Sequence, residues 1–100
     1  MPYLFCYDIE NDTKRLKTAA KLIELGFQRV QKSVFAGDPG EYALRSLQDW
    51  LKRQFHQGTI NRDVGLLLPC TQRQLEDALV FGCDPPDWHL LTDPPNTLII

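Results

Sequence analysis

One hundred residues, 43% of them hydrophobic and 24% charged, make one globular domain and exclude a disordered chain or a multidomain enzyme. No apolar run approaches the length of a membrane span, and the first eight residues lack the basic region and small-residue cleavage site of a signal peptide, so the expected location is the cytoplasm. The net charge of −2 is unevenly placed: residues 1–62 hold 10 Lys/Arg against 7 Asp/Glu (+3), and residues 63–100 hold 1 against 6 (−5). Such asymmetry hints at an anion-binding face opposite an acidic segment, and the competing reading is chance clustering on a solvated surface.

Residues 3–9 are a short aromatic-rich apolar run that reads as a buried strand. Asn11 or Asp12 can cap the helix expected over 13–25, because either side-chain oxygen can accept an orphan N–H of the first turn. Leu16, Ala19, Ala20 and Ile23 recur at helical spacing and are the expected core stripe. Gly26 is the expected stop, since only glycine enters the left-handed conformation without steric cost. Residues 27–36 are extended, either one bent strand or two short strands broken near 31–33. Asp38-Pro39-Gly40 is a turn by composition. A second amphipathic helix follows over 41–55, with Leu44, Leu47, Leu51 and Phe55 inward. A polar loop over 56–62 leads to an apolar strand over 64–69. Thr71 and Gln74 have the spacing of a capping box opening one short helical turn. A short strand is expected over 78–81, then two rigid Asp-Pro-Pro loops and a terminal apolar fragment over 97–100.

This order predicts an α+β fold, a ferredoxin-like β-α-β-β-α-β sandwich with extra C-terminal strands. Residues 1–82 form the expected core domain and 83–100 a proline-rich extension. Because the sheet is complete without Leu98, Ile99 and Ile100, that terminal strand needs an edge to pair with, which a second copy or a partner can supply.

Two features can carry chemistry. Asp8 ends an apolar strand, where ligand-binding side chains often project from a sheet. A lone carboxylate is a poor catalyst, but it can hold Mg²⁺, which takes one or two carboxylates plus waters and phosphate oxygens. A two-fold axis near Asp8 would bring two carboxylates together. A helix-capping or turn aspartate is the competing reading. The second feature is a ridge of ammonium groups, Lys14, Lys17 and Lys21, with Arg15 on its flank and Arg29 and Lys32 on the following extended segment. It can track a phosphate backbone without reading sequence; an ordinary solvated lysine face is the alternative. The three cysteines, Cys6, Cys70 and Cys83, have no C-x-x-C spacing and read as free thiols. His56 and His89 have no ligand-spaced neighbours, there is no phosphate-binding glycine loop, and Trp50 and Trp88 read as packing or interface residues.

Tyr7-Asp8-Ile9, then Asn11-Asp12-x-Lys14-Arg15-x-Lys17, then Gly26-x-x-Arg29-Val30-Gln31-x-Ser33-Val34-Phe35, closely resembles CRISPR-associated protein two, the small metal-dependent ribonuclease family that partners the CRISPR spacer integrase. The match is dense over the first third of the chain and architectural beyond it. The resemblance implies a ferredoxin-like homodimer in which Asp8 faces its copy across the two-fold and binds Mg²⁺. It implies cleavage of RNA or double-stranded DNA by some members, and a role in adaptation in which the dimer bridges integrase dimers and holds the DNA to be inserted. Tyr7, Asp8, Arg15, Arg29, Ser33 and Phe35 carry over by position, with Tyr7, Ser33 and Phe35 supporting the site. The C-terminal segment is implied in dimer or integrase contacts. The chain departs from the family pattern in its long proline-rich stretch over 84–96 and its acidic tail. A ferredoxin-like regulatory or binding dimer with no nucleic-acid role is the alternative function.

Overall fold

The computed structural model describes residues 1–55, 63–82 and Trp88. The expected strand over 97–100, the extension over 83–100 apart from Trp88, the loop over 56–62, Cys83 and both histidines lie outside the described residues.

The central strand is β1, Tyr3–Asp8, whose aromatic and apolar side chains suit a pleated surface packed on both faces. Helix α1, Asp12–Glu24, begins where Asn11 accepts the Lys14 N–H at 2.8 Å, and ends at Gly26, which takes a φ of +93°. Strands β2, Gln28–Gln31, and β3, Val34–Gly37, form a hairpin about Lys32 and Ser33, with a bulge between Arg29 and Gln31. The extended segment is therefore two strands. Helix α2 runs Glu41–Gln54, β4 runs Val64–Pro69, and α3 is the short turn Gln72–Glu76. Both halves of the expected capping box form, Thr71 with the Gln74 N–H and Gln74 with the Thr71 N–H. The sheet order is β2-β3-β1-β4 and every pairing is antiparallel, which is the ferredoxin-like arrangement. No helix among the described residues is long and apolar enough to cross a membrane.

The pleat sends alternate residues to opposite faces. Phe5, Tyr7, Phe35 and Leu67 face α1 and α2, where they pack with Ala19, Leu22, Phe27, Leu47, Leu51 and Phe55. Tyr7 stacks between Phe5 and Phe35. On the other face Leu4, Val30 and Ala36 meet Cys70, Leu75, Val80 and Trp88, so α3 and Trp88 cover one end of the sheet. Val64, Leu66 and Leu68 of β4 remain open to solvent there, 58%, 55% and 40% exposed.

Two expectations are corrected. The core stripe of α1 is Thr18, Ala19 and Leu22, whereas Leu16 and Ile23 are 71% and 59% exposed and Ala20 is also outside. Leu22 sets the helix phase by seating at the centre of the core, and Thr18 satisfies its buried hydroxyl by donating to the Lys14 carbonyl at 2.9 Å. Residues 78–81 form no strand within the chain: Val80 packs inward while Leu79 and Phe81 are 80% and 77% exposed. The alternation of a strand is present, but its ladder needs an edge that these described residues do not meet.

Candidate functional site

Asp8 is the last residue of β1 and lies opposite Val64 in the β1–β4 ladder. Parity puts its exposed side chain on the same sheet face as Leu4 and Cys6, the face opposite α1 and α2. The β2–β3 turn is brought alongside by Tyr7, whose N–H donates to the Ser33 carbonyl at 3.1 Å and whose hydroxyl, at 3.4 Å, approaches the Lys32 carbonyl. The result is a concavity of about 220 Å³ lined by Tyr7, Asp8, Ile9, Arg15, Lys32 and Ser33. One carboxylate (Asp8), one ammonium (Lys32), one guanidinium (Arg15) and two hydroxyl-bearing residues (Tyr7 and Ser33) therefore line the concavity at the end of the central strand.

Arg15 reaches this site from α1 and also holds its backbone. Its Nη1 donates to the Ile9 carbonyl at 2.9 Å and approaches that of Glu10 at 3.4 Å, while Nη2 pairs with the Asp12 carboxylate. Tyr7 and Phe35 are both buried core residues, packed beneath the site. Arg29 pairs with Phe35 across the β2–β3 ladder and is itself exposed, with its guanidinium carbon 5.0 Å from the Phe35 ring centroid.

The ammonium ridge divides. Lys14 is drawn inward: Nζ sits 2.9 Å from an Asp63 carboxylate oxygen and 4.8 Å from the Phe55 ring centroid, and its side chain is 17% exposed. Lys21 pairs with Glu24 at 2.9 Å. Lys17 and Lys32 are exposed and form no ion pair among the described residues. The charge available to an anion thus rests on Lys17, Lys32 and Arg29 more than on the helix as a whole. Lys17 and Lys21 also line a groove with Ala20, Glu24 and Trp50.

Asp63 was not legible as a site residue. It precedes β4, its side chain is 3% exposed, and it accepts the Glu10 N–H at 3.0 Å in addition to the Lys14 ammonium. The Lys14 bond, then the Glu10 N–H, hold its carboxyl below the usual aspartate range against the opposing effect of burial. The sequence signal is only an aspartate at the head of an apolar run. The partners it selects are 53 residues away in the case of Glu10.

Among the described residues no group of three or more His, Cys, Asp or Glu side chains gathers as a metal cage. Asp8, the one carboxylate among the described residues lining the concavity of about 220 Å³, is compatible with Mg²⁺, which keeps several waters and takes only one or two carboxylates.

A four-stranded antiparallel sheet in the order β2-β3-β1-β4, with a strand-end aspartate beside basic side chains, places the chain among the small ferredoxin-like α+β proteins. The family model described as CRISPR associated protein Cas2 matches residues 1–77, and the chain belongs to that family. A CRISPR-associated endoribonuclease Cas2 of Synechocystis is 36% identical over 100 residues, covering 98% of this chain and 97% of the relative. One from Pyrobaculum aerophilum is 36% identical over 85 residues, covering 85% and 84%. One from Aeropyrum pernix is 53% identical over 49 residues, an alignment spanning 53% of that relative. Among solved structures, a hypothetical protein from Thermus thermophilus superposes with a TM-score of 0.66 at 32% identity, over 85% of this chain and 94% of the other. Streptococcus pyogenes Cas2 superposes with a TM-score of 0.68 at 20% identity, over 82% and 100%, a likeness of fold.

Proposed function

We propose that this chain works in the cytoplasm as a homodimeric subunit of CRISPR adaptation, which grips duplex DNA and bridges integrase dimers, and which can cleave RNA or DNA with Mg²⁺. The observation that carries this reading is the position of Asp8 on the same open sheet face as the exposed Val64, Leu66 and Leu68. Apolar residues left on one face of a sheet favour burial against a second surface. A second copy packed there about a two-fold axis would bring two Asp8 carboxylates toward each other. Those carboxylates would hold the Mg²⁺, which when bound stabilises charge on a scissile phosphate and lowers the pKa of attacking water. Lys17, Arg29 and Lys32 would attract the phosphate backbone, and the Ser33 hydroxyl would donate to a phosphate oxygen beside Asp8. Leu98, Ile99 and Ile100, with the extension that carries them, would dock the partner copy or the integrase.

Two measurements test the two halves. Duplex-DNA binding should weaken linearly in log salt, and removing one phosphate-contacting cation should flatten the slope by about 0.9; binding that is absent or indifferent to salt refutes the DNA role. Purified protein should cleave RNA or duplex DNA only with Mg²⁺, and Asp8→Ala should abolish cleavage while leaving DNA binding intact. Equal cleavage by parent and Asp8→Ala would remove the nuclease half and leave the scaffold.

A further inference from the structure

The turn that follows Asp8 is held from two sides. From α1, Arg15 donates to the Ile9 carbonyl and reaches that of Glu10, at 2.9 and 3.4 Å. From across the sheet, one Asp63 oxygen accepts the Glu10 N–H at 3.0 Å while the other receives the Lys14 ammonium at 2.9 Å. Asp63 directly precedes Val64, the cross-strand partner of Asp8. One nearly buried carboxylate thus ties the start of β4, the turn after β1 and the first turn of α1 into a single corner. A metal-holding side chain must be kept within about 0.5 Å of its working position by groups behind it. Asp8 itself is exposed at a strand end, so the backbone on either side has to supply that restraint.

We propose that Asp63 is a positioning residue for Asp8: it fixes the backbone that aims the Asp8 carboxylate and touches neither metal nor phosphate. Both oxygens of Asp63 are already engaged, by an amide and an ammonium, whereas Asp8 forms no ion pair among the described residues. The inference rests on the reading of Asp8 as a metal ligand.

Substitution separates the two contacts. Asp63→Asn keeps an oxygen for the Glu10 N–H and gives up the charge facing Lys14; Asp63→Ala gives up both. Hydrogen exchange of the Glu10 amide in the metal-free full-length protein reads the backbone directly, and Mn²⁺ affinity by calorimetry reads the site. Asp63→Ala should speed Glu10 exchange and weaken Mn²⁺ binding about tenfold, the usual loss when a group supporting a metal ligand is removed. Asp63→Asn should fall between it and the parent. A folded Asp63→Ala protein with parental Glu10 protection and parental Mn²⁺ affinity overturns the proposal. If Asp63→Ala does not fold, Asp63→Asn decides alone, and parental values in both readouts overturn the proposal. Should the parent bind Mn²⁺ no better than Asp8→Ala, the metal reading itself fails and this inference falls with it, an outcome distinct from a change confined to the Asp63 variants.

Discussion

At the scale of single residues, charge and availability are different properties. Lys14 and Lys17 are three apart on one helix, yet the first is sandwiched between Asp63 and Phe55 and the second stands in solvent. Removing one partner of an enclosed ion pair leaves the other uncompensated, whereas removing a solvated lysine costs the fold little. Lys14→Ala should therefore lower the thermal midpoint by several degrees. Lys17→Ala should leave the midpoint in place and reduce only the affinity for duplex DNA and its salt slope, by about 0.9. Paired melting and titration curves check both. Asp63 adds a pH dependence. Its carboxyl is held below the ordinary aspartate value, so it binds fewer protons in the folded chain than in the unfolded one. Its contribution is present above about pH 4, the unfolded value, and is lost as pH falls through the lower folded one. Midpoints of the parent and Asp63→Asn should differ at neutral pH and converge in acid.

At the scale of elements, local signals were legible where a local interaction decides them. The Asn11 cap, the Gly26 stop and the Thr71–Gln74 capping box each depend on residues within a few positions, and all formed as expected. Thr71→Ala should cost about 1 kcal/mol in chemical denaturation. The phase of α1 was not decided locally. Its sequence offers two stripes, Leu16-Ala19-Ala20-Ile23 and Thr18-Ala19-Leu22, and the fold uses the second, with Leu22 fully buried in the cluster that holds Phe27 and the β1 aromatics. The hydroxyl of Thr18 disguised a core position. The missing ladder at 78–81 failed for a related reason, since strand propensity cannot supply the opposing edge. Close packing also fixes β3: a Cβ on Gly37 would come within 2.7 Å of the Phe27 ring, itself 3% exposed. Gly37→Ala should lose about 1–3 kcal/mol of stability, the usual cost of overpacking a filled core, measured by urea unfolding.

At the scale of the whole molecule, the two sheet faces have unlike finishes. One is closed by α1 and α2; the other is covered at one end by α3 and Trp88 and elsewhere presents Val64, Leu66 and Leu68 near Asp8. Under the proposed function, the surface that joins two copies also completes the metal site, so assembly and cleavage should fail together. Leu66→Glu should yield a folded monomer by sedimentation and abolish cleavage, and the parent's specific activity should fall on dilution below the dimer dissociation constant. Persistent dimer in Leu66→Glu would place the contact elsewhere. The strand-end aspartate and its basic neighbours were readable because they lie within 33 residues of the N-terminus in a dense pattern. The corner made by Asp63 was not, because tertiary folding alone brings β4 to the β1–α1 turn.

The two tryptophans sit on opposite layers: Trp50 is half-buried beside Lys17 and Lys21, and Trp88 is 9% exposed against Ala36 and Leu75. Each is therefore a built-in optical reporter for a different event. Polynucleotide arriving at the helical layer should quench the emission of Trp50, while undocking of α3 should shift that of Trp88 to longer wavelength. Single-tryptophan variants can follow the two processes in one solution without an added dye.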